Sequence, residues 1–260
     1  MKDKIIAITH SRNLSSEFSY LLNNESLRLV RLKTSEIIPN NAKIINEIFR
    51  FSFTEDDYFV FLSVNAVQLF FEFAKKINRY DDIARILNEK VTVVAIGNST
   101  SNSLNKNAIN VRYVPSKSSS EEILKIFGKT QKARKIVIPR SRLADDYLRE
   151  NLTRLGYQVH EFYLYDVKPS GIDDNWIDFS RLLGDNKIDS LIFTSPSNVR
   201  FFFDIIKMIS EDLLQNIKKI GLVISIGPKT SKELQKYGIS FTESHMHSLN
   251  DVAELLKSQI

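Results

Sequence analysis

Small hydroxyl residues stand where apolar segments give way to helical ones, and they are the chain's first candidates for chemistry. They are Ser63, Thr100 after Gly97-Asn98-Ser99, Ser195 and Ser197 with Asn198, and Thr230 after Gly227-Pro228-Lys229. A hydroxyl at such a turn accepts from the exposed N–H groups of the helix it precedes, which makes it a cap. The same N–H groups and the positive end of the helix dipole also hold anions. Taken singly, each hydroxyl reads either as a cap or as a ligand contact. In parallel sheets, ligands gather at the carboxyl ends of the strands. Four such turns facing one another across a cleft would suit a ligand with several carboxylates or phosphates.

Other chemistries are excluded by what the chain lacks. It has no cysteine, so a disulfide, a thiolate metal site and a Cys nucleophile are all impossible. The eight glycines are isolated and none forms a GxG pair, which removes a Rossmann phosphate loop; no GxxxxGK[ST], HExxH, EF-hand or GxSxG pattern occurs. His245-Met246-His247 offers two imidazoles, too few for a metal, and reads as a polar loop. No cofactor is expected. The net charge of +5 is spread among Asp and Glu without a basic stripe. It fits a nucleic-acid partner, a codon bias towards lysine, or an anionic small molecule steered by the field. No apolar run approaches the ~18 residues of a membrane span. Met1-Lys2-Asp3-Lys4 followed by Ile5 to Ile8 is too short for a signal peptide, so a cytoplasmic protein is expected.

Regular elements must position these turns. Short apolar strands are predicted near 5–9, 27–32, 58–63, 91–96, 111–114, 136–139, 158–167, 190–194, 222–226 and 239–242. Amphipathic helices are predicted near 14–22, 44–49, 64–77, 83–87, 98–106, 119–127, 144–155, 175–183, 197–209, 212–217, 229–236 and 249–257. The alternation means an α/β protein with parallel sheets. The aromatic runs Phe70-Phe71 and Phe201-Phe202-Phe203 read as core, and Trp176 as a helix anchor.

The chain also matches itself. Phe61-Leu62-Ser63-Val64-Asn65-Ala66-Val67 resembles Phe193-Thr194-Ser195-Pro196-Ser197-Asn198-Val199, an offset of 132. Ala95-Ile96-Gly97-Asn98-Ser99-Thr100 resembles Ser225-Ile226-Gly227-Pro228-Lys229-Thr230, an offset of 130. Serine-led helices follow at Ser119 and Ser248. Two such offsets in the same order argue for two related α/β domains.

These segments, with Ile138-Pro139-Arg140, Gly156 and Val159-His160-Glu161-Phe162-Tyr163-Leu164-Tyr165, resemble the uroporphyrinogen-III synthase family over nearly the whole chain. The resemblance implies two similar parallel-sheet α/β domains joined by a two-stranded linker, one of them discontinuous. Here that gives 1–35 plus 170–260 for the first domain and 36–169 for the inserted second. It implies a cofactor-free lyase that closes hydroxymethylbilane to uroporphyrinogen III, inverting the last pyrrole ring and losing water. The substrate would be handed over from the preceding pathway enzyme to a monomer, with no nucleic acid or membrane involved. By the same resemblance Tyr165 is the expected proton donor to the leaving hydroxyl, with Tyr163 beside it a strand aromatic. Thr230, Thr100, Ser195, Ser197, Ser63, Asn198, Gly227, Arg12 and Arg140 are the expected substrate contacts.

The chain departs from the family pattern in places. Thr9-His10 stands where Thr-Arg is usual, with Arg12 two residues on, and His10 could supply a weaker donor. Lys229 replaces a common hydroxyl, Ser141-Arg142 a common glycine, and Leu62 the usual threonine before serine. Two other readings compete: a non-catalytic two-domain sensor or binding protein for an anionic ligand, and a basic nucleic-acid-associated protein.

Overall fold

The computed structural model describes residues 4–10, 27–130, 132 and 134–259. The helix expected near 14–22 and Arg12 lie outside them. The chain divides into two compact units, Met1–Glu36 with Lys168–Ile260, and Ile37–Val167. The divisions fall inside two strands, β3 (Ser35–Pro39) and β7 (Gln158–Pro169).

The discontinuous unit is built on β1 (Lys4–His10), β2 (Leu27–Lys33), β8 (Ser190–Phe193), β9 (Leu222–Ser225) and β10 (Thr242–Glu243). Its sheet order is β10-β9-β8-β1-β2, with every pair parallel. β1 is buried from Ile5 to Thr9, as a parallel strand covered on both faces must be. Ile5 and Ala7 enter one core with Trp176, Phe179 and Phe202 from the helices Asp174–Gly184 and Pro196–Ile209. Ile6 and Ile8 enter the other, with Val252, Ala253 and Leu256 from the helix Leu249–Gln259. Trp176 is fully buried against Phe179 and Phe202, and its Nε1–H donates to the Lys33 carbonyl at 2.8 Å. The tryptophan thus anchors its helix as expected.

The continuous unit repeats the plan. Its sheet order is β3-β7-β6-β4-β5, with β4 (Tyr58–Phe61), β5 (Thr92–Ala95) and β6 (Lys135–Ser141). The β4/β5, β4/β6 and β6/β7 pairs are parallel. Alternation again sorts the side chains. Phe59 and Phe61 pack with Phe70, Phe71 and Phe73 of the helix Val64–Lys76. Val60 packs on the other face with Ile136, Ile138, Leu148 and Leu152. Burying each such ring stabilises the fold by about 1.5–3 kcal/mol, before the entropy of ordering it is subtracted.

Three expected elements differ. The helix near 44–49 is a 3-10 helix, Ala42–Arg50, whose start is capped by the Asn41 side chain accepting from Lys43 N. The strand near 111–114 is reduced to one bridge, Val94 to Tyr113, at the sheet edge. The strand near 239–242 shifts to Thr242–Glu243, where pairing with Ile224 and Ser225 fixes its register.

Gly156 follows the helix Tyr147–Arg154 with φ +99°, and a Cβ there would lie 2.2 Å from the Thr130 carbonyl oxygen. Gly156→Ala is therefore expected to cost about 2–3 kcal/mol. A urea unfolding midpoint unchanged by the substitution would contradict this.

His160, on β7, presses its ring on Phe51 at 4.5 Å and leaves Nε2 buried without a partner. Burial first, then the Lys135 charge, hold its pKa below the ordinary 6.5, against an opposing pull from Asp57. The folded state thus binds the proton less tightly than the unfolded one. This stability is fully present above about pH 6.5 and is lost as pH falls through and below that value. Thermal melts from pH 7.5 to 5 are expected to show a fall in Tm that His160→Phe lessens.

Candidate functional site

In the continuous unit, the candidate residues gather at the carboxyl ends of β4 to β7. Ser63 follows β4 and caps the helix Val64–Lys76, its Oγ accepting from Ala66 N at 3.1 Å. The same Oγ lies 3.3 Å from the Tyr165 hydroxyl. Tyr165 is 6% exposed, so the phenol sits at the edge of the core. Burial raises its pKa above the ordinary 10.0, opposed by the Ser63 hydrogen bond and the Arg140 charge. The phenol therefore keeps its proton at neutral pH, as a proton donor must.

Thr100 belongs to a second kind of turn. Gly97 opens the helix Asn98–Asn105 and supplies no side-chain cap. A Cβ on Gly97 would fall 2.0 Å from Ser118 Oγ, so a side chain there would require Ser118 to turn away. Thr100 is buried in the first turn, and its hydroxyl has no hydrogen-bond partner among the described residues.

Arg140 is placed differently from the expectation that it meets substrate. It is 3% exposed, its guanidinium pairs with Glu161, and Nη2 donates to the Asp145 carbonyl at 2.6 Å. Glu161 also accepts from the Tyr163 hydroxyl at 2.9 Å and faces Arg149 at 3.5 Å. The reason is register: Ile138 pairs with Glu161 on the neighbouring strand, which brings a carboxylate beside the guanidinium. Arg140 and Glu161 therefore tie β6 to β7 close to Tyr165.

The discontinuous unit shows the same pair of turns. After β8, Ser195 caps the helix Pro196–Ile209 by accepting from Asn198 N at 3.2 Å, and Ser197 lies 3.1 Å from the Ser195 hydroxyl. Asn198 is buried, with both ends of its amide in use. It donates to Thr194 Oγ1 at 2.7 Å and accepts from Thr34 Oγ1 at 2.8 Å. Those bonds make it a brace between the β8 turn and the end of β2.

After β9, Gly227 opens the helix Pro228–Lys236, again without a side-chain cap. Its φ of 169° is extended backbone that any residue adopts. A Cβ there would lie 3.2 Å from His247 Cδ2. Thr230 is buried in the first turn and, like Thr100, its hydroxyl has no partner among the described residues. His10, at the end of β1, has Nδ1 buried without a partner. Burial, then the charge of Arg31, lowers its pKa, so its imidazole is neutral at pH 7. That makes it a weaker anion partner than an arginine.

Sequence reasoning passed over Ser118, Ser225, Ser231 and Glu243 as site residues and read His247 as part of a polar loop. Ser231 Oγ lies 2.9 Å from Ser225 Oγ and donates to the Glu243 carboxylate. His247 and Ser118 were within reach of the repeat, since each immediately precedes a matched capping serine, Ser248 or Ser119. Among the described residues, no group of three or more His, Asp or Glu could hold a metal, and no helix is long and apolar enough to cross a membrane. Two grooves, of about 600 and 240 Å³, lie at the amino ends of β5 and β9, away from these turns.

Comparison with known proteins bears on this arrangement. The family model described as uroporphyrinogen-III synthase HemD matches residues 16–252. The uroporphyrinogen-III synthase of Chlorobaculum parvum is 24% identical over 237 residues, covering 91% of this chain and 90% of that protein. The solved uroporphyrinogen-III synthetase of Helicobacter pylori superposes with a TM-score of 0.65 at 19% identity, over 100% of both chains. A mutant uroporphyrinogen III synthase of Thermus thermophilus gives a TM-score of 0.65 at 15% identity, over 98% of both chains. The match across most of its length, on a fold of two parallel-sheet α/β units, shows that the chain belongs to the uroporphyrinogen-III synthase family.

Proposed function

We propose that this chain closes hydroxymethylbilane to uroporphyrinogen III, inverting the last pyrrole ring and releasing water without a cofactor. The observation that carries the reading is the Tyr165–Ser63 pair, a protonated phenol held at 3.3 Å by the hydroxyl that caps the neighbouring helix. In this reading Tyr165 donates its proton to the leaving hydroxyl. Electron-rich pyrroles supply the carbon nucleophile themselves. The protein's larger task is to hold a floppy linear chain in one ring-closing geometry, which is a matter of orientation.

The uncapped helix starts at Gly97 and Gly227 support a polycarboxylate substrate. At Gly97 the first-turn N–H groups of Asn98, Ser99 and Thr100, and at Gly227 that of Lys229, would then meet an acetate or propionate side chain beside the threonine hydroxyl. Ser63 and Ser195 act chiefly as caps, Ser197 and Asn198 brace the β8 turn, and Arg140 acts on Tyr165 by position and charge. We read the protein as a cytoplasmic monomer that takes its substrate from the preceding enzyme of tetrapyrrole synthesis.

The deciding assay supplies fresh hydroxymethylbilane and separates the oxidised products by chromatography. Type III isomer is expected in excess over the protein-free control; type I alone overturns the reading. Tyr165→Phe is expected to lower the type III rate about tenfold, less than the roughly 10²–10⁴-fold usual for a general acid, because orientation carries most of the catalysis. Thr230→Ala should lower it as well. Full activity in both variants would overturn the assignment of these residues.

Arg140→Ala strands a buried Glu161 and is expected to cost about 3–5 kcal/mol of stability. A variant as stable as the parent, with only KM raised, would instead place Arg140 on the substrate.

A further inference from the structure

We propose that Asn40 is a positioning residue that holds a bulge in β7 and so aims the Tyr165 phenol at Ser63. The proposal rests on the reading of Tyr165 as proton donor given above.

The bulge is visible in the strand register. β6 and β7 pair residue for residue from Lys135 with Gln158 to Arg140 with Tyr163, but the next pair is Ser141 with Tyr165. Leu164 is therefore an extra residue on β7. Such an insertion is uncommon between parallel strands, and it re-aims the side chains beside it. Side chains along a regular strand alternate between the two faces of the sheet. Glu161 and Tyr163 share one face, where the Tyr163 hydroxyl donates to Glu161 Oε2 at 2.9 Å. A regular strand would carry Tyr165 to that face as well. Instead Phe162, Leu164 and Tyr165 all enter the core that holds Phe61, Ala66 and Phe70. There the phenol comes within 3.3 Å of Ser63 Oγ.

Asn40 holds the bulge from the other edge of β7. It follows Pro39 at the end of β3, which neighbours β7 in the sheet. Its backbone N–H donates to the Leu164 carbonyl at 2.9 Å, and its side-chain Nδ2 donates to the Tyr163 carbonyl at 2.8 Å. Successive carbonyls of a regular strand point to opposite edges, so a neighbour on one edge meets only one of them. Here both turn towards Asn40. The Tyr165 carbonyl then turns to the β6 side, where it accepts from Arg142 N at 3.1 Å. Any residue but proline brings the backbone donor, whereas the second donor comes from the asparagine amide. Without that amide the Tyr163 carbonyl loses a donor, and the regular register with Tyr165 on the opposite face competes.

Asn40→Asp keeps the size of the side chain and puts an oxygen where the donor stood, while Asn40→Ala removes the amide. Each is compared with the parent in kcat and KM for hydroxymethylbilane, alone and combined with Tyr165→Phe. Each is also labelled with carbon-13 at tyrosine Cζ, with Tyr165→Phe identifying the Tyr165 resonance. kcat is expected to fall about three- to tenfold, more for Asp than for Ala, with KM within about twofold. In the Tyr165→Phe background neither variant should lower kcat further, as for residues that act as one unit. The Tyr165 resonance should shift while the tyrosines other than Tyr163 and Tyr165 stay in place. An additive loss of kcat in the double variants overturns the proposal, as does an unmoved Tyr165 resonance in both single variants. So does a fall in Tm with kcat and that resonance unaltered, which would mark a role in stability alone. Full activity in Tyr165→Phe refutes the proton-donor reading instead, and the resonance then decides by itself whether Asn40 places the phenol.

Discussion

Close approach of a loop to the Cα atoms of Gly97 and Gly227 shapes the candidate site in both units. Ser118 occupies the space a side chain would need at the first, and His247 crowds it at the second. Glycine opens each helix and brings no side-chain oxygen to cap its first N–H groups. The hydroxyl residue of each turn stands three residues inward, at Thr100 and Thr230. The neighbouring turns are not crowded in this way. They carry Ser63 and Ser195, both in extended conformation, each accepting from the third N–H onward. Each unit thus pairs a turn closed by a serine cap with a turn that has no side-chain cap.

Tyr165 depends on a different set of contacts. Its hydroxyl meets the capped turn at Ser63, so the cap also aims the phenol. A buried cation close by pulls against the desolvation that raises the phenol pKa. Arg140 is costly to bury, and Glu161 with the Asp145 carbonyl offsets that cost. The pair spans β6 and β7, and so the Tyr165 phenol and the nearby positive charge both hang on one strand register.

Much of this was legible in the sequence, for particular reasons. Strand alternation and serine caps are local, and the repeat kept its spacing because each strand–turn–helix unit must keep its length to bury its core. Ser63 and Ser195 came out as the same cap with nearly the same backbone angles, φ −164° and −165°. The partners of Arg140 were not legible. Glu161 lies 21 residues away, and only the pairing of β6 with β7 brings it near. The Ser225–Ser231–Glu243 cluster was hidden for the same reason, since Glu243 meets Ser225 through the short β9/β10 pairing. His247 was read as part of a polar loop because two imidazoles are too few for a metal, and its contact with Gly227 arises only in the folded chain.

The burial of Trp176 reaches beyond packing. It is the chain's one tryptophan, and it sits in the core of the discontinuous unit against Phe179 and Phe202. The continuous unit holds phenylalanines and tyrosines but no indole. Emission excited at the red edge of the absorption band therefore follows one unit alone, while far-ultraviolet dichroism follows both. The protein carries its own label for asking whether its two halves unfold together, and a substitution in either half can be traced to the unit it weakens without adding a dye.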